Sequence, residues 1–138
     1  MMTASAKIAS AILILTAVPG AAAAAEMRLV CSISAKGPER TASAVRHYAL
    51  DAATREMVII IDGERRPVCG EKPCTRITAE TIRMERETSS GSLRTVSSTT
   101  IDRLTGGLSE THETFRDERP LLRMVFAGEC QRAGAPKF

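Results

Sequence analysis

The sequence predicts an all-β domain, either a small antiparallel up-and-down β-barrel of about eight strands or a flattened β-sandwich. Three observations lead there. Apolar residues recur at every second position over short segments, clusters of Gly, Asp, Ser and Pro separate those segments, and four cysteines are spaced to pair across such a framework.

Residues 1–25 stand apart from the fold and read as a secretory signal peptide. Lys7 supplies an early cation, an apolar run follows from Ile8 to Val18, Pro19 and Gly20 break it, and Ala21 to Ala25 give a small-residue exit. The run is about eleven residues, short of the roughly 20 that cross a bilayer as a helix. Cleavage is expected after Ala25, leaving a single β domain over residues 26–138, located in the periplasm or secreted, with no stable membrane span after cleavage.

The strands follow in order. MRLVCSIS alternates over 27–34, with Met27, Leu29, Cys31 and Ile33 on one face. RHYALD and EMVIIID, at 45–51 and 56–62, form a hairpin around AATR, and GERR, Gly63 to Arg66, is read as the next turn. The fourth strand is placed at 65–69 or 74–79. RITAETIRMERE, ambiguous over 76–86, fits either a helical turn or two short strands that change phase near Glu80 and Thr81. Strands are preferred because every neighbouring segment has period two. SSGS is a turn at Ser89 to Ser92, and the remaining strands fall at 81–87, 93–102, 107–115 and 121–130.

Cys31 and Cys130 both share a phase with the apolar face of their strand, which favours a bond joining the first strand to the last. Cys69 and Cys74 enclose only GEKP, so their bond is a local staple. An even cysteine count in an exported chain of this size points to disulfides. Metal binding is not expected, because His47 and His112 are isolated and CGEKPC lacks further ligands at zinc spacing.

One segment raises the question of chemistry. LDAATREM and IDRLTGGL share an apolar residue, an aspartate, two variable residues and a threonine, so Asp51 and Thr54 correspond to Asp102 and Thr105. Aspartate at the first turn position accepts bonds from amides further along, and Gly106 suits a left-handed position. The repeat identifies turn-making, and no base, nucleophile or metal partner for Asp102 is evident.

Function is bounded mainly by exclusion. The formal net charge is +3 and the cations are scattered among acids, which argues against nucleic acid. One Tyr, three Phe and no Trp make a sugar or single-strand stacking platform hard to build. There is no GxSxG elbow, no phosphate loop and no metal cluster, His47 and His112 read as ordinary strand residues, and neither an enzyme nor a cofactor is expected. The expectation is an exported, non-enzymatic protein that binds a small apolar ligand or a protein partner, an envelope protein among the candidates.

The plan of signal peptide, early cysteine, β-meander, SSGSLR turn and late cysteine resembles the small periplasmic lysozyme inhibitors of Gram-negative bacteria. That resemblance covers the overall layout and the turn at Ser89 to Arg94. It implies the alternative function, inhibition of an extracytoplasmic enzyme such as lysozyme, with Ser90 and Arg94 in the inhibitor loop. The more extended serine, glycine and tyrosine pattern of those inhibitors is missing here.

Overall fold

In the computed structural model, residues 26–36 and 43–133 are described, and the expected signal peptide lies outside them. The described chain is all-β. Its strands are β1 (Arg28–Ala35), β2 (Ser43–Leu50), β3 (Met57–Ile61), β4 (Glu64–Pro67), β5 (Thr75–Ile77), β6 (Thr81–Ser90), β7 (Leu93–Asp102), β8 (Gly107–Arg116) and β9 (Arg119–Arg132). They form one sheet in the order β4-β3-β2-β1-β9-β8-β7-β6-β5, every neighbouring pair antiparallel. The sheet curls into a half-barrel. The ambiguous segment 76–86 is strand, as preferred from its period-two neighbours, with the phase change at the Thr78–Thr81 turn.

Nine strands replace the expected eight because both candidate positions for the fourth strand are occupied. In a sheet of alternating direction, β4 and β5 at the two ends of a nine-strand order run the same way. The CGEKPC excursion therefore does not reverse the chain. It transfers one broken strand from the edge beside β3 to the edge beside β6. The two edges are tied without a ladder: Cys69 bonds Cys74, the Met57 amide donates to Thr75 Oγ1 at 3.1 Å, and the Thr75 amide donates to the Glu56 carboxylate at 3.0 Å.

The expected seam between first and last strands is a continuous ladder. Cys31 and Cys130 are direct partners in the β1–β9 register and are disulfide-bonded, with Cα atoms 4.0 Å apart. The Cys130 amide donates to the Gly106 carbonyl on the β8 side, so toward β1 this residue occupies a non-hydrogen-bonded position, the closer of the two antiparallel spacings.

Turn chemistry sets the registers. Asp62 and Gly63 both have positive φ, as do Asp117 and Glu118, so β3–β4 and β8–β9 close through two-residue turns of the I′ kind. The first of these corrects the reading of GERR as a turn: Asp62-Gly63 reverses the chain and Glu64 to Arg66 already belong to β4. Gly91, at φ 60, opens the β6–β7 turn. The repeated aspartate turns are superimposable in their bonding. Asp51 Oδ1 accepts from Ala53 and Thr54, Asp102 Oδ1 accepts from Leu104 and Thr105, and each threonine hydroxyl accepts from the amide two residues on. The two backbone amides hold the Asp102 carboxyl below its ordinary range. Arg55 and Gly106 take the left-handed position in the two copies. Glycine is required only in the second, where a Cβ would overlap the Cys130 carbonyl oxygen.

The core lies on the concave face. Leu29, Cys31, Ile33, Tyr48, Met57, Ile82, Met84, Ile101, Leu108 and Cys130 form one buried cluster, which draws on both ends of the sheet and so accounts for the curl. Removing the long-range disulfide with Cys31→Ser/Cys130→Ser is expected to lower unfolding stability by about 4–5 kcal/mol, and removing Cys69–Cys74 by about 2 kcal/mol, from the loop lengths closed. Urea midpoints of the two double variants check this ordering; equal losses would contradict it.

Candidate functional site

Counting outward from the Ile101–Leu108 pair, the concave face of the sheet changes character rung by rung. Phe126, Glu110, Thr99, Met84 and Thr75 lie in line across β9, β8, β7, β6 and β5. The next rung on the same face is Met124, His112, Ser97 and Arg86, and the one beyond is Leu122, Thr114, Thr95 and Thr88. Directly opposed residues present side chains to one face. The packed core thus runs into a surface of hydroxyls, one imidazole and one guanidinium, flanked on β9 by apolar side chains that are exposed: Leu122 at 57% and Met124 at 42%.

A charged network stands at the boundary. Glu110, only 5% exposed, accepts both oxygens' bonds from Arg46 at 2.9 Å and a bond from the Thr99 hydroxyl at 2.7 Å. Arg46 also donates to the Tyr48 hydroxyl at 3.1 Å. Burial pushes the Glu110 carboxyl up, but Arg46 and Thr99 outweigh it and hold the group below the usual carboxylate range. Burial opposes the Arg46 charge as well, and the bonds to Glu110 and Tyr48 more than restore it. Tyr48, mostly buried, is pushed up by its desolvation, against the nearby guanidinium. Among the described residues no buried side-chain nitrogen or oxygen lacks a partner.

His112 extends this network toward solvent. Its Nδ1 lies 2.8 Å from Ser97 Oγ, its Nε2 lies 3.4 Å from Glu110 Oε2, and its ring meets Phe126 edge-on at 5.6 Å. The tautomer with the proton on Nε2 satisfies both polar contacts: Ser97 donates to Nδ1 and Nε2–H points to the carboxylate. Serine, imidazole and carboxylate are therefore contiguous. His112, read from the sequence as an ordinary strand residue, is hydrogen-bonded, with partners on β7 and on its own strand. His47, by contrast, is exposed on β2.

Ser90 is exposed at the β6–β7 hairpin, and Arg94, the register partner of Ser89 in the same hairpin, pairs with Glu118 at 3.0 Å and Glu87 at 3.5 Å and covers the Phe115 ring at 4.5 Å. The tips of the two long hairpins touch, the Asp117 amide donating to the Ser92 carbonyl at 3.1 Å. At the other corner, Glu56, Cys69 and Cys74 bring potential ligand atoms within 4.8 Å of one another, but both sulfurs are in the disulfide and the Glu56 carboxylate is taken by the amides of Cys74 and Thr75. Open grooves of about 430 and 780 Å³ flank this corner between Pro73, Cys74 and the outer half of β6, with charged side chains such as Glu85 and Glu87 in their walls. The cavity that abuts the core, lined by Leu29, Ile82, Ile101 and Cys130, is about 30 Å³.

Fold and face together define a small disulfide-tied antiparallel β protein of half-barrel form with a polar concave surface. Compared with known proteins, the chain matches no family model, no curated protein and no solved structure.

Replacing Glu110 by Ala leaves Arg46 and Thr99 without their acceptor and is expected to cost about 3 kcal/mol, the low end for a broken buried pair because Arg46 keeps some contact with water. Glu110→Gln should lose roughly half of that. Because the folded carboxyl titrates below its unfolded value, its contribution is complete above ~4.3 and is lost as pH falls toward the lower folded value. The stability gap between wild type and Glu110→Gln is thus expected to narrow in acid, below pH about 4. Urea unfolding of both proteins across that range tests this, and a gap that does not change with pH would contradict it.

Proposed function

We propose that the protein is an exported, non-enzymatic binding protein that recognises a protein partner through the outer part of its concave face. Two disulfides in so small a chain are typical of oxidising, extracytoplasmic compartments and support a periplasmic or secreted location. The observation that carries the binding mode is the exposure of Leu122 and Met124. They share a face with buried Cys130 and half-buried Phe126, yet nothing in the described chain covers them, and the exposed Leu121 adjoins them at the β8–β9 bulge. An apolar group beside hydroxyls and a guanidinium suits a protein surface. A small apolar ligand is less well served: pockets for such molecules span about 300–1,000 Å³, the cavity at the core holds about 30 Å³, and the grooves of about 430 and 780 Å³ are open and lined by charged side chains such as Arg83, Glu85 and Glu87.

The alternative reading, inhibition of an extracytoplasmic enzyme such as lysozyme, is favoured by the paired hairpin tips. Ser90 sits on one tip, and Arg94 is held rigid by Glu118 from the other, a preorganised end suited to enter a cleft.

A photo-crosslinker installed at position 124, in protein expressed in its host envelope, should capture a defined protein, and the same group at exposed Arg76 should not. Leu122→Asp should remove the product while leaving the urea midpoint within about 0.5 kcal/mol, as for other surface substitutions. Equal capture from both positions would sink the proposed face. Near-stoichiometric loss of lysozyme activity, weakened by Ser90 or Arg94 substitution, would establish the inhibitor reading instead.

A further inference from the structure

We propose that Ser97 is a nucleophile that accepts an acyl group from an activated ester, with His112 as its general base. This goes beyond partner recognition and does not depend on it, and as a single self-acylation without turnover it is compatible with a non-enzymatic binding protein. The contact of 2.8 Å between Ser97 Oγ and His112 Nδ1 is within reach for direct proton transfer. The imidazole is fixed from two other sides, by Phe126 edge-on and by the Glu110 carboxylate facing Nε2. That carboxylate is itself clamped by Arg46 and Thr99, so it is a positioning residue that keeps the proton on Nε2 and leaves Nδ1 free to accept.

Ser97 and His112 are half-buried, unlike Thr99 and Glu110 one rung deeper. A substrate can therefore reach this rung from the side of Met124 and Leu122, against which a short acyl chain would lie. Arg86 stands opposite Ser97 in the β6–β7 register and presents its guanidinium to the same face. One of its nitrogens donates to the Val68 carbonyl at 3.4 Å.

In the acylation step, Ser97 Oγ bonds to the ester carbonyl carbon as its proton passes to His112 Nδ1. Arg86, on the strand beside Ser97, can turn its guanidinium from the Val68 carbonyl toward the oxygen on which negative charge develops. Collapse of the adduct breaks the bond to the leaving alcohol, which departs with the proton from His112, and leaves an acyl-serine. β7 lies between β6 and β8, with its backbone engaged in both ladders, so it offers no pair of free amides to an oxyanion. With a single side-chain donor, deacylation is slow and the product accumulates at one acyl group per chain.

The test uses the full folded chain and p-nitrophenyl acetate, followed by release of p-nitrophenol and by peptide mapping. A burst of one equivalent with the acetyl group on Ser97 is expected. Ser97→Ala should abolish the burst. His112→Ala should slow it about 100-fold, and added imidazole should restore part of the rate. Nitrogen NMR of the imidazole should show the Nε2–H tautomer in wild type and its loss in Glu110→Gln, a change that a merely structural carboxylate would not produce. If Ser97→Ala does not fold, the mapped position of the wild-type adduct decides alone. Acetylation confined to Lys36, Lys72 or Tyr48, or an unchanged rate in His112→Ala, overturns the proposal.

Discussion

The ladder between β1 and β9 is the constraint on which the rest of the structure depends. Without it the described chain is two separate antiparallel units, β1 to β4 and β5 to β9, each with one apolar face open to water. Local hairpins build each unit cheaply, because their turns are encoded by Asp-Gly, Ser-Gly and the two aspartate repeats. Joining them requires contact between residues about as far apart in sequence as the domain allows, 99 positions for Cys31 and Cys130. That closure is where the entropy of loop formation falls, and where a covalent tie restricts the unfolded chain most.

The same joint carries the buried charge pair. Arg46 on β2 reaches Glu110 on β8 across the two strands that form the seam, with a sequence separation of 64. A buried ion pair is weak evidence for net stability, since desolvation offsets much of the attraction. Its effect on register is firmer. A slip of one residue between β1 and β9 would turn either Cys130 or Glu110 out of phase with its partner, breaking the disulfide or stranding a guanidinium inside the half-barrel. Covalent and ionic contacts thus enforce one alignment at the one place, among the described residues, where the two units meet by a ladder.

This division explains what the sequence disclosed. Alternation marks strands wherever one face is buried, so MRLVCSIS and LLRMVFAGEC were legible together with the cysteine pairing that follows from their phase. The phase shift at Glu80–Thr81 correctly suggested a break within 76–86. CGEKPC was harder, because a turn-rich insert ordinarily reverses a chain, and only the sheet order shows that β4 and β5 keep one direction. The charged interior was not legible: Arg46 and Glu110 occupy inward positions, but burial of ionised groups is unfavourable until their partners are known. The Ser97–His112 pair was within reach. The IDRLTGGL turn fixes the β7–β8 register, and four residues outward from Ile101 and Leu108 it sets serine against histidine.

The polar face and the packed core are consequences of one geometry. The hairpins β6–β7 and β8–β9 are long, while β1 is paired with β9 only as far as Ala35 opposite Phe126 and β5 covers only three residues of β6. The curl therefore encloses the inner halves of the long strands and leaves their outer halves without an opposing layer. Inner positions exclude water and hold Ile82, Ile101 and Leu108. Positions on the same face beyond that enclosure remain wet, and there the sequence turns to Thr88, Thr95, Thr114, Ser97 and Arg86. Glu110 and Thr99 fall on the dividing rung, which is why a carboxylate there is nearly buried yet still within hydrogen-bonding range of an imidazole open to solvent. Strand length in excess of what the core needs is what creates a functional surface on this fold, and the chemistry placed on that surface is graded by its distance from the enclosed end.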